Sequence, residues 1–167
     1  MNDHEIELLA EKLGKCLLAQ RWCVATAESC TGGLVAAAIT SIAGSSDWFD
    51  RGFVTYSNGA KRELLDVAES VLQAYGAVSE STAIAMAEGA LQRSDAALTV
   101  AITGIAGPGG GTPEKPVGMV CFAWARTGAA TISRTHHLGG DRADVRQASV
   151  AIALRGLIDV VESASPR

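Results

Sequence analysis

Ser29 is the residue whose surroundings point most directly to chemistry, because it lies in the turn ESCTGG at residues 28–33. A β-type run at residues 23–27 precedes this turn, and residues 34–39, which are good helix formers, follow it. A serine there lies at a helix N-terminus, where unpaired backbone N–H groups and the helix dipole favour negative charge. Such N–H groups suit either a phosphate or the oxyanion of an acyl-transfer intermediate. The alternative is that Ser29 or Thr31 only caps the helix.

A serine nucleophile needs a neighbouring base, because its hydroxyl is a weak nucleophile at neutral pH. The three histidines of the chain are poorly distributed for this role. His4 falls in a predicted N-terminal helix, and His136 and His137 are adjacent on a predicted late strand, so their side chains point to opposite faces. We expect His136 and His137 to lie at the surface or at a strand edge. The alternative is that one of them is the base of an esterase.

Lys61 stands out among the lysines as a candidate base. It follows the sequence TYSNG at residues 55–59, and a strand is predicted at residues 52–57 with a turn at 58–59. If that strand lies near the strand before Ser29, both carboxyl ends open on one edge of the sheet. Desolvation can lower the pKa of a lysine towards ~7–8, and its neutral amine can then accept the serine proton. Tyr56 would orient or polarise the pair; the alternative is that Lys61 is a solvated charge in a first helical turn.

A glycine-rich loop at residues 103–111 follows a continuous apolar run, residues 96–102, that suits a strand buried on both faces. The loop lacks the Lys-Ser/Thr ending of a P-loop and does not match the pattern G-x-G-x-x-G. Its glycines around Pro108 still indicate an unusual backbone at a strand end, where open α/β sheets bind ligands. The alternative is a merely mobile loop.

Arg142 and Arg146 are four residues apart at the start of a predicted last helix, residues 142–161, and so share one face. Asp141 is predicted to be the N-cap of this helix. Two guanidinium groups beside a helix N-terminus suit a phosphate or a carboxylate. The alternative is a surface pair partnered by Asp144.

Helices before, between and after strands predict an α/β fold, which we expect to be a single layered α/β/α domain over residues 1–167 with a mixed, partly parallel sheet. Further helices are predicted near residues 60–65, 70–75 and 80–92, the last capped by Ser79. The early strands have helical crossovers and can be parallel. Two late strands, residues 117–126 and 130–138, form a predicted antiparallel hairpin.

The composition argues against several classes of protein. The chain of 167 residues is 48% hydrophobic and 19% charged, which is typical of one globular domain. Its net charge is −4 and its 14 lysines and arginines form no runs, so we expect no nucleic-acid partner. No apolar stretch approaches the ~20 residues that span a bilayer, and the polar, acidic start is unlike a signal peptide, so we expect a cytoplasmic protein with no membrane partner. The four cysteines lack C-x-x-C spacing, so we expect no metal site.

Six sequence runs, taken together and in order, resemble the CinA C-terminal domain family, the nicotinamide-nucleotide amidohydrolases. The runs are TAESCTGG at residues 26–33, RGFVTYSN at 51–58 with Lys61, GAVS at 76–79, TGIAGP at 103–108, KPVG at 115–118 and GDR at 140–142. They cover nearly the whole chain, about residues 5–160. Six ordered matches are far more specific than any one of them.

The resemblance implies hydrolysis of the carboxamide of nicotinamide mononucleotide to nicotinate mononucleotide and ammonia, in pyridine nucleotide recycling and without a cofactor. It implies a catalytic pair of Ser29 and Lys61 with Tyr56 nearby, and a homodimer. The residues expected to bind the small nucleotide substrate are Cys30, Thr31, Gly32, Gly33, Thr103, Gly104, Gly107, Arg142 and Arg146. Whether the glycine loop or the arginine pair holds the phosphate is open at this point. The alternatives are a non-catalytic nucleotide-binding module and a different serine hydrolase.

Overall fold

The computed structural model describes residues 3–164. Within this range the chain forms six α-helices, five β-strands and one short 3₁₀ turn. In chain order they are α1 (Asp3–Gln20), β1 (Val24–Glu28), α2 (Leu34–Thr40), the 3₁₀ turn (Ser45–Asp47), β2 (Phe49–Val54), α3 (Asn58–Leu65), α4 (Glu69–Tyr75), α5 (Glu80–Gln92), β3 (Leu98–Gly104), β4 (Met119–Arg126), β5 (Ile132–His137) and α6 (Arg142–Ala164).

The five strands form one sheet in the order β2-β1-β3-β4-β5. β1 lies parallel to β2 and β3, whereas β4 is antiparallel to both of its neighbours. The predicted α/β fold with a mixed, partly parallel sheet is therefore confirmed. Because β2, β1 and β3 run in one direction, their carboxyl ends meet at the same edge of the sheet. The turn of Ser29, the segment of Tyr56 and the glycine-rich loop all begin at this edge.

Helices cover both faces of the sheet. On one face α1, α2 and α6 enclose a core that includes Val100, Phe122 and Trp124. On the other face α5, with α3 and α4 beside it, packs on small side chains such as Ala101 and Ala123. Six of the seven residues of β3 are buried, because helices cover the strand from both sides. The resulting order of layers is α/β/α.

The boundaries around β2 differ from the sequence prediction. The strand is Phe49–Val54, so it ends three residues before the predicted end at residue 57. The pair Asn58-Gly59, predicted as a turn, is instead the first two residues of α3. The reason is local: Ser57 Oγ accepts a hydrogen bond from the backbone N–H of Ala60 at 3.0 Å, and this N-cap starts a helix at once.

The end of β3 also differs from the prediction. Thr103 and Gly104, expected at the start of the loop, belong to the strand because they pair with Cys121 and Val120 of β4. The antiparallel partner therefore prolongs β3 beyond the end of β1, whose last residue, Glu28, is opposite Ile102. The predicted cap of α5 is correct, since Ser79 Oγ accepts from the N–H of Thr82.

None of the helices within residues 3–164 combines the length and the apolar character that crossing a membrane requires.

Candidate active site

Ser29 and Lys61 contact each other at the carboxyl edge of the sheet. Lys61 Nζ lies 2.9 Å from Ser29 Oγ and also donates to the backbone C=O of Thr55 at 2.8 Å and of Tyr56 at 3.4 Å. Ser29 directly follows β1, and Lys61 is in the first turn of α3, a few residues after the neighbouring parallel strand β2. The predicted approach of the two residues is present, and it follows from parallel strands that end at one edge.

Lys61 is buried, with only 1% of its surface exposed. Burial lowers the pKa of its amine from 10.5 to about 8, because the charged form loses its hydration. No carboxylate within residues 3–164 forms an ion pair with it. The alternative of a solvated first-turn charge is therefore wrong. The amine has the properties of a general base that is partly neutral near neutral pH.

Glu28 holds the turn of Ser29, a role that the sequence did not reveal. Its fully buried carboxylate accepts hydrogen bonds from the Thr31 hydroxyl at 2.7 Å and the Thr26 hydroxyl at 3.2 Å. It also accepts from the N–H of Val35 at 2.9 Å and of Ala36 at 3.0 Å, in the first turn of α2. The only sequence signal was a carboxylate placed just before a helix, where the helix dipole favours negative charge.

Two expectations for this turn are corrected by that arrangement. The N-cap position of α2 is Gly33, with no side-chain cap, so neither Ser29 nor Thr31 caps the helix. The N–H groups of Val35 and Ala36 are bonded to Glu28 and that of Leu34 to the C=O of Thr31, so the first turn of α2 does not offer them to a substrate anion. Gly32 and Gly33 have φ values of 58° and 102°, a left-handed backbone that favours glycine and turns the chain into α2.

Some backbone N–H groups near Ser29 already donate a hydrogen bond within the protein, and others do not. Ser29 N–H donates to the C=O of Ile102 at 2.9 Å, and Gly32 N–H donates to the C=O of Ser29 at 3.1 Å. Along a strand, the backbone groups of every second residue point to the same neighbouring strand. Gly104 therefore directs its N–H to the β1 side of β3, as Ile102 does, but at a position beyond the end of β1. Gly104 lines the cavity of Ser29. Its N–H group is therefore available at the place where the strand partner ends.

A cavity of about 220 Å³ opens onto the Ser29–Lys61 pair. Seven of the predicted site residues line it, together with Ala106 of the glycine-rich loop and two residues from one other segment of the chain. The lining residues are Ser29, Cys30, Tyr56, Lys61, Ala77, Val78, Thr103, Gly104, Ala106 and Arg142. Ala77 and Val78 form one wall of the cavity, which the sequence analysis did not predict. The buried Thr103 hydroxyl anchors this wall by donating to the C=O of Ala77 at 2.7 Å.

Cys30 is the other candidate nucleophile that lines this cavity. Burial raises the pKa of its thiol to about 11. At neutral pH the thiol is therefore protonated, and a protonated thiol is a poor nucleophile. The hydroxyl of Ser29, with Lys61 in contact, is the better attacking group.

Arg142 joins two walls of the cavity. Its Nη1 donates to the C=O of Gly107 at 2.8 Å, and its Nη2 donates to the phenol oxygen of Tyr56 at 3.2 Å. The side chain of Tyr56 is 62% exposed, so it lies at the cavity mouth, and its contact with Lys61 is made by its backbone C=O. The loop of Gly107 therefore has a defined partner on α6.

Arg146 contacts the Ser29 turn from the same face of α6. It donates from Nε to the C=O of Cys30 at 3.1 Å and from Nη2 to the C=O of Thr31 at 3.3 Å. Asp144 instead exchanges hydrogen bonds with Asp141, whose carboxylate accepts from the N–H of Asp144 at 3.0 Å. The predicted N-cap is present, and the alternative of an arginine pair held by Asp144 is wrong.

A second cavity, of about 640 Å³, adjoins the first and shares Ala106 and Arg142 with it. It lies between the glycine-rich loop and the start of α6. Its lining residues are Ala106, Pro108, Val117, Gly140, Asp141, Arg142, Ala143 and Arg146. Of the predicted substrate-binding residues, Thr31, Gly32, Gly33 and Gly107 line neither cavity.

The late histidines are remote from Ser29 in the sheet. His136 and His137 are on β5, paired with Val120 and Met119 of β4. β4 and β3 separate that strand from β1. The His136 ring packs edge-on against Phe122, with ring centroids 5.4 Å apart. Neither histidine lines the cavity of Ser29, so neither is positioned to act as its base.

The fold and the site define a three-layer α/β protein with a buried lysine against a serine at the carboxyl edge of its sheet. Residues 6–161 match the model of the CinA C-terminal domain. The chain belongs to the CinA C-terminal domain family.

Individual relatives agree with this assignment over nearly the full length of the chain. The nicotinamide-nucleotide amidohydrolase PncC of Escherichia coli (strain K12) is 52% identical over 157 residues, which is 94% of this chain and 95% of that protein. The PncC of Enterobacter agglomerans is 50% identical over 155 residues, 93% of this chain and 94% of that protein. The crystal structure of competence/damage inducible protein CihA from Agrobacterium tumefaciens superposes with a TM-score of 0.92 at 49% identity, covering 93% of this chain and 95% of that one.

Proposed function

We propose that this protein is an amidohydrolase that converts nicotinamide mononucleotide to nicotinate mononucleotide and ammonia. The single observation that carries the proposal is the 2.9 Å contact between Lys61 Nζ and Ser29 Oγ inside a cavity. The substrate is taken from the relatives named nicotinamide-nucleotide amidohydrolase, which are about half identical to this chain. The proposed role is in pyridine nucleotide recycling in the cytoplasm.

The hydrogen bonds around Lys61 support its role as the base. In the neutral amine, two N–H groups point to the C=O of Thr55 and of Tyr56, and the remaining lone pair faces Ser29 Oγ. The amine accepts the serine proton while the oxygen attacks the carboxamide carbon. The ammonium then returns this proton to the departing nitrogen, which leaves as ammonia. Water attacks the resulting ester on Ser29 and releases nicotinate mononucleotide, which regenerates the hydroxyl.

The oxyanion of the tetrahedral intermediate needs fixed donors. Gly104 N–H faces the space beyond β1, and the N–H of Cys30 follows the nucleophile directly in the chain. Ser29 N–H is already bonded to Ile102, so it is excluded. We assign the oxyanion to the N–H groups of Gly104 and Cys30. Loss of one such donor typically raises the barrier by about 3–4 kcal/mol.

The two adjoining cavities suggest how the nucleotide lies. The pyridine carboxamide would occupy the 220 Å³ cavity over Ser29, and the ribose phosphate would occupy the 640 Å³ cavity beside it. Arg142 borders both cavities, at the N-terminus of the long helix α6, and is our candidate for the phosphate partner. Binding energy from the phosphate would then orient the amide at the nucleophile, so free nicotinamide should react poorly.

An ammonia-release assay on the purified protein tests the proposal directly. With nicotinamide mononucleotide as substrate we expect ammonia and nicotinate mononucleotide in equal amounts, and little of either from nicotinamide. Binding of the nucleotide with no ammonia above background would instead identify a non-catalytic nucleotide-binding module. Sedimentation velocity on the same sample tests the homodimer, which we propose from the family resemblance.

A further inference from the structure

A groove between β5 and α6, here called the arginine groove, is separate from the Ser29 cavity and shares no lining residue with it. Its volume is about 540 Å³, within the range of roughly 300–1,000 Å³ that small-molecule sites occupy. α6 packs over β3 and β4, and the same face of the edge strand β5 stays open. The lining residues are Trp124, Arg126, Ala129, Ala130, Ile132, Arg134, His136, Ile152, Arg155, Gly156, Asp159, Val160, Ser163 and Ala164.

One long wall of the groove is a face of β5 and the other is a stripe of α6. On β5 the lining residues alternate, with Arg134 between Ile132 and His136 on one face. On α6 they recur three and four residues apart, which is one stripe of a helix. Gly156 forms part of this stripe, and a Cβ there would lie 2.2 Å from the Trp124 ring. Glycine therefore lets α6 rest on the indole, which forms an apolar floor.

The rim of the groove is positively charged. Arg126, Arg134 and Arg155 line it, and Asp159 is the single acidic residue among the lining residues. Within residues 3–164 none of these three guanidinium groups forms an ion pair, and Arg126 has one contact of note, over the Trp22 ring at 5.7 Å. In a chain of net charge −4, three cations without a carboxylate partner around one apolar groove favour an anion.

We propose that the arginine groove binds a small organic anion, with one carboxylate, sulfonate or phosphate group on an apolar body. The guanidinium groups would hold the anionic group, and the side chains of Ile132, Ile152 and Val160 would cover the apolar body. A second copy of this chain fits the groove less well. In a two-fold dimer the same patch meets itself, so three arginines from each copy would be enclosed with only one carboxylate, Asp159, from each.

Fluorescence titration with 8-anilinonaphthalene-1-sulfonate tests this site, because the probe carries one sulfonate on an aromatic body. The uncharged N-phenyl-1-naphthylamine, which lacks the sulfonate, is the matched control probe. We expect the double variant Arg134→Ala/Arg155→Ala to weaken binding of the sulfonate by about tenfold or more, and binding of the uncharged probe much less. The binding should also weaken with added salt, since Arg134 and Arg155 are exposed.

A charge-matched protein control is Lys15→Ala/Arg62→Ala, which removes two exposed cations outside the groove. This variant should bind the sulfonate like the unmodified chain, and equal unfolding midpoints would show that both variants are folded. Equal loss of binding in the two double variants, or equal affinity for the two probes, would overturn the proposal. A dimer in sedimentation velocity that Ile132→Asp dissociates would overturn it too, because a second copy would then occupy the groove.

Discussion

Lys61 Nζ and Ser29 Oγ are 2.9 Å apart although 32 positions separate the two residues in the chain. The parallel pairing of β1 with β2 brings them to one edge of the sheet, and both side chains are buried there. This contact has consequences for activity, for its pH dependence and for the free energy of unfolding.

Removal of either member of the pair should abolish most of the activity. We expect Ser29→Ala and Lys61→Met each to lower kcat by at least about 10²–10⁴-fold, because general-base catalysis typically contributes this factor. The double variant should be no worse than the single ones, since the two residues act as a unit. Ammonia release from nicotinamide mononucleotide measures this. His137→Ala is the control and should keep its activity. An inactive His137→Ala together with a fully active Lys61→Met would disprove the assignment of Lys61 as the base.

The activity should depend on pH through Lys61. The amine is a base only when neutral, and its pKa is lowered to about 8. We therefore expect kcat/KM to fall about tenfold for each unit of pH below this value and to level off above it. Fixed-time assays of ammonia release, in buffers of constant ionic strength, give the dependence of kcat/KM on pH. A flat profile through this range would contradict the role of the lysine.

The same lowered pKa should make the free energy of unfolding depend on pH. Between about 8 and 10.5 the unfolded chain binds a proton at Lys61 that the folded chain does not, so stability rises with pH in this window. Between pH 8 and 10.5 the free energy of unfolding should therefore rise by at most about 3 kcal/mol more for the unmodified protein than for Lys61→Met. Urea unfolding of both proteins on either side of the window measures the gain. A difference between them that stays constant with pH would count against a buried, neutral amine.

Glu28→Gln should destabilise the turn of Ser29. The carboxylate accepts four hydrogen bonds, and an amide replaces one acceptor oxygen by an N–H donor that faces other donors. We expect a loss of about 1–3 kcal/mol in the free energy of unfolding, together with a lower kcat. Glu63→Gln is the control, since Glu63 is exposed on α3. Unchanged unfolding midpoints for both variants would show that Glu28 does not hold the turn.

Two glycine-to-alanine changes should have opposite effects on stability. A Cβ on Gly89 of α5 would lie 2.0 Å from the C=O of Leu65, so α3, which carries Lys61, would have to shift. We expect Gly89→Ala to cost roughly 1–3 kcal/mol. A Cβ on Gly59 of α3 would meet only Ser57 Oγ, at 3.8 Å, so Gly59→Ala should stabilise by about 0.5–1 kcal/mol. Thermal unfolding of the two variants compares them, and equal shifts would argue against close packing at Gly89.

The sequence was sufficient to predict the pair of Ser29 and Lys61 because both residues follow strands, and parallel strands place their ends together. It was not sufficient to predict what holds them. Two of the four partners of Glu28 are backbone N–H groups of α2, and apart from Ser29 the partners of Lys61 are the C=O groups of Thr55 and Tyr56. Backbone groups are the same for every residue type, so no sequence pattern identifies them.

The arginines of α6 illustrate a second limit. Their spacing correctly indicated one shared face, yet the partners of Arg146 are C=O groups more than a hundred positions earlier in the chain. Such a contact depends on the angle at which α6 crosses the sheet, which periodicity does not specify. The wall of Ala77 and Val78 was missed for a related reason, because small apolar side chains carry no chemical signal.

The bridge from Arg142 to Gly107 and Tyr56 fixes this guanidinium at the place where the two cavities meet. An arginine that is already held by two acceptors has less rotamer freedom to lose than an unattached one. Part of the entropic cost of binding an anion there is therefore borne by the folded chain and not by the ligand.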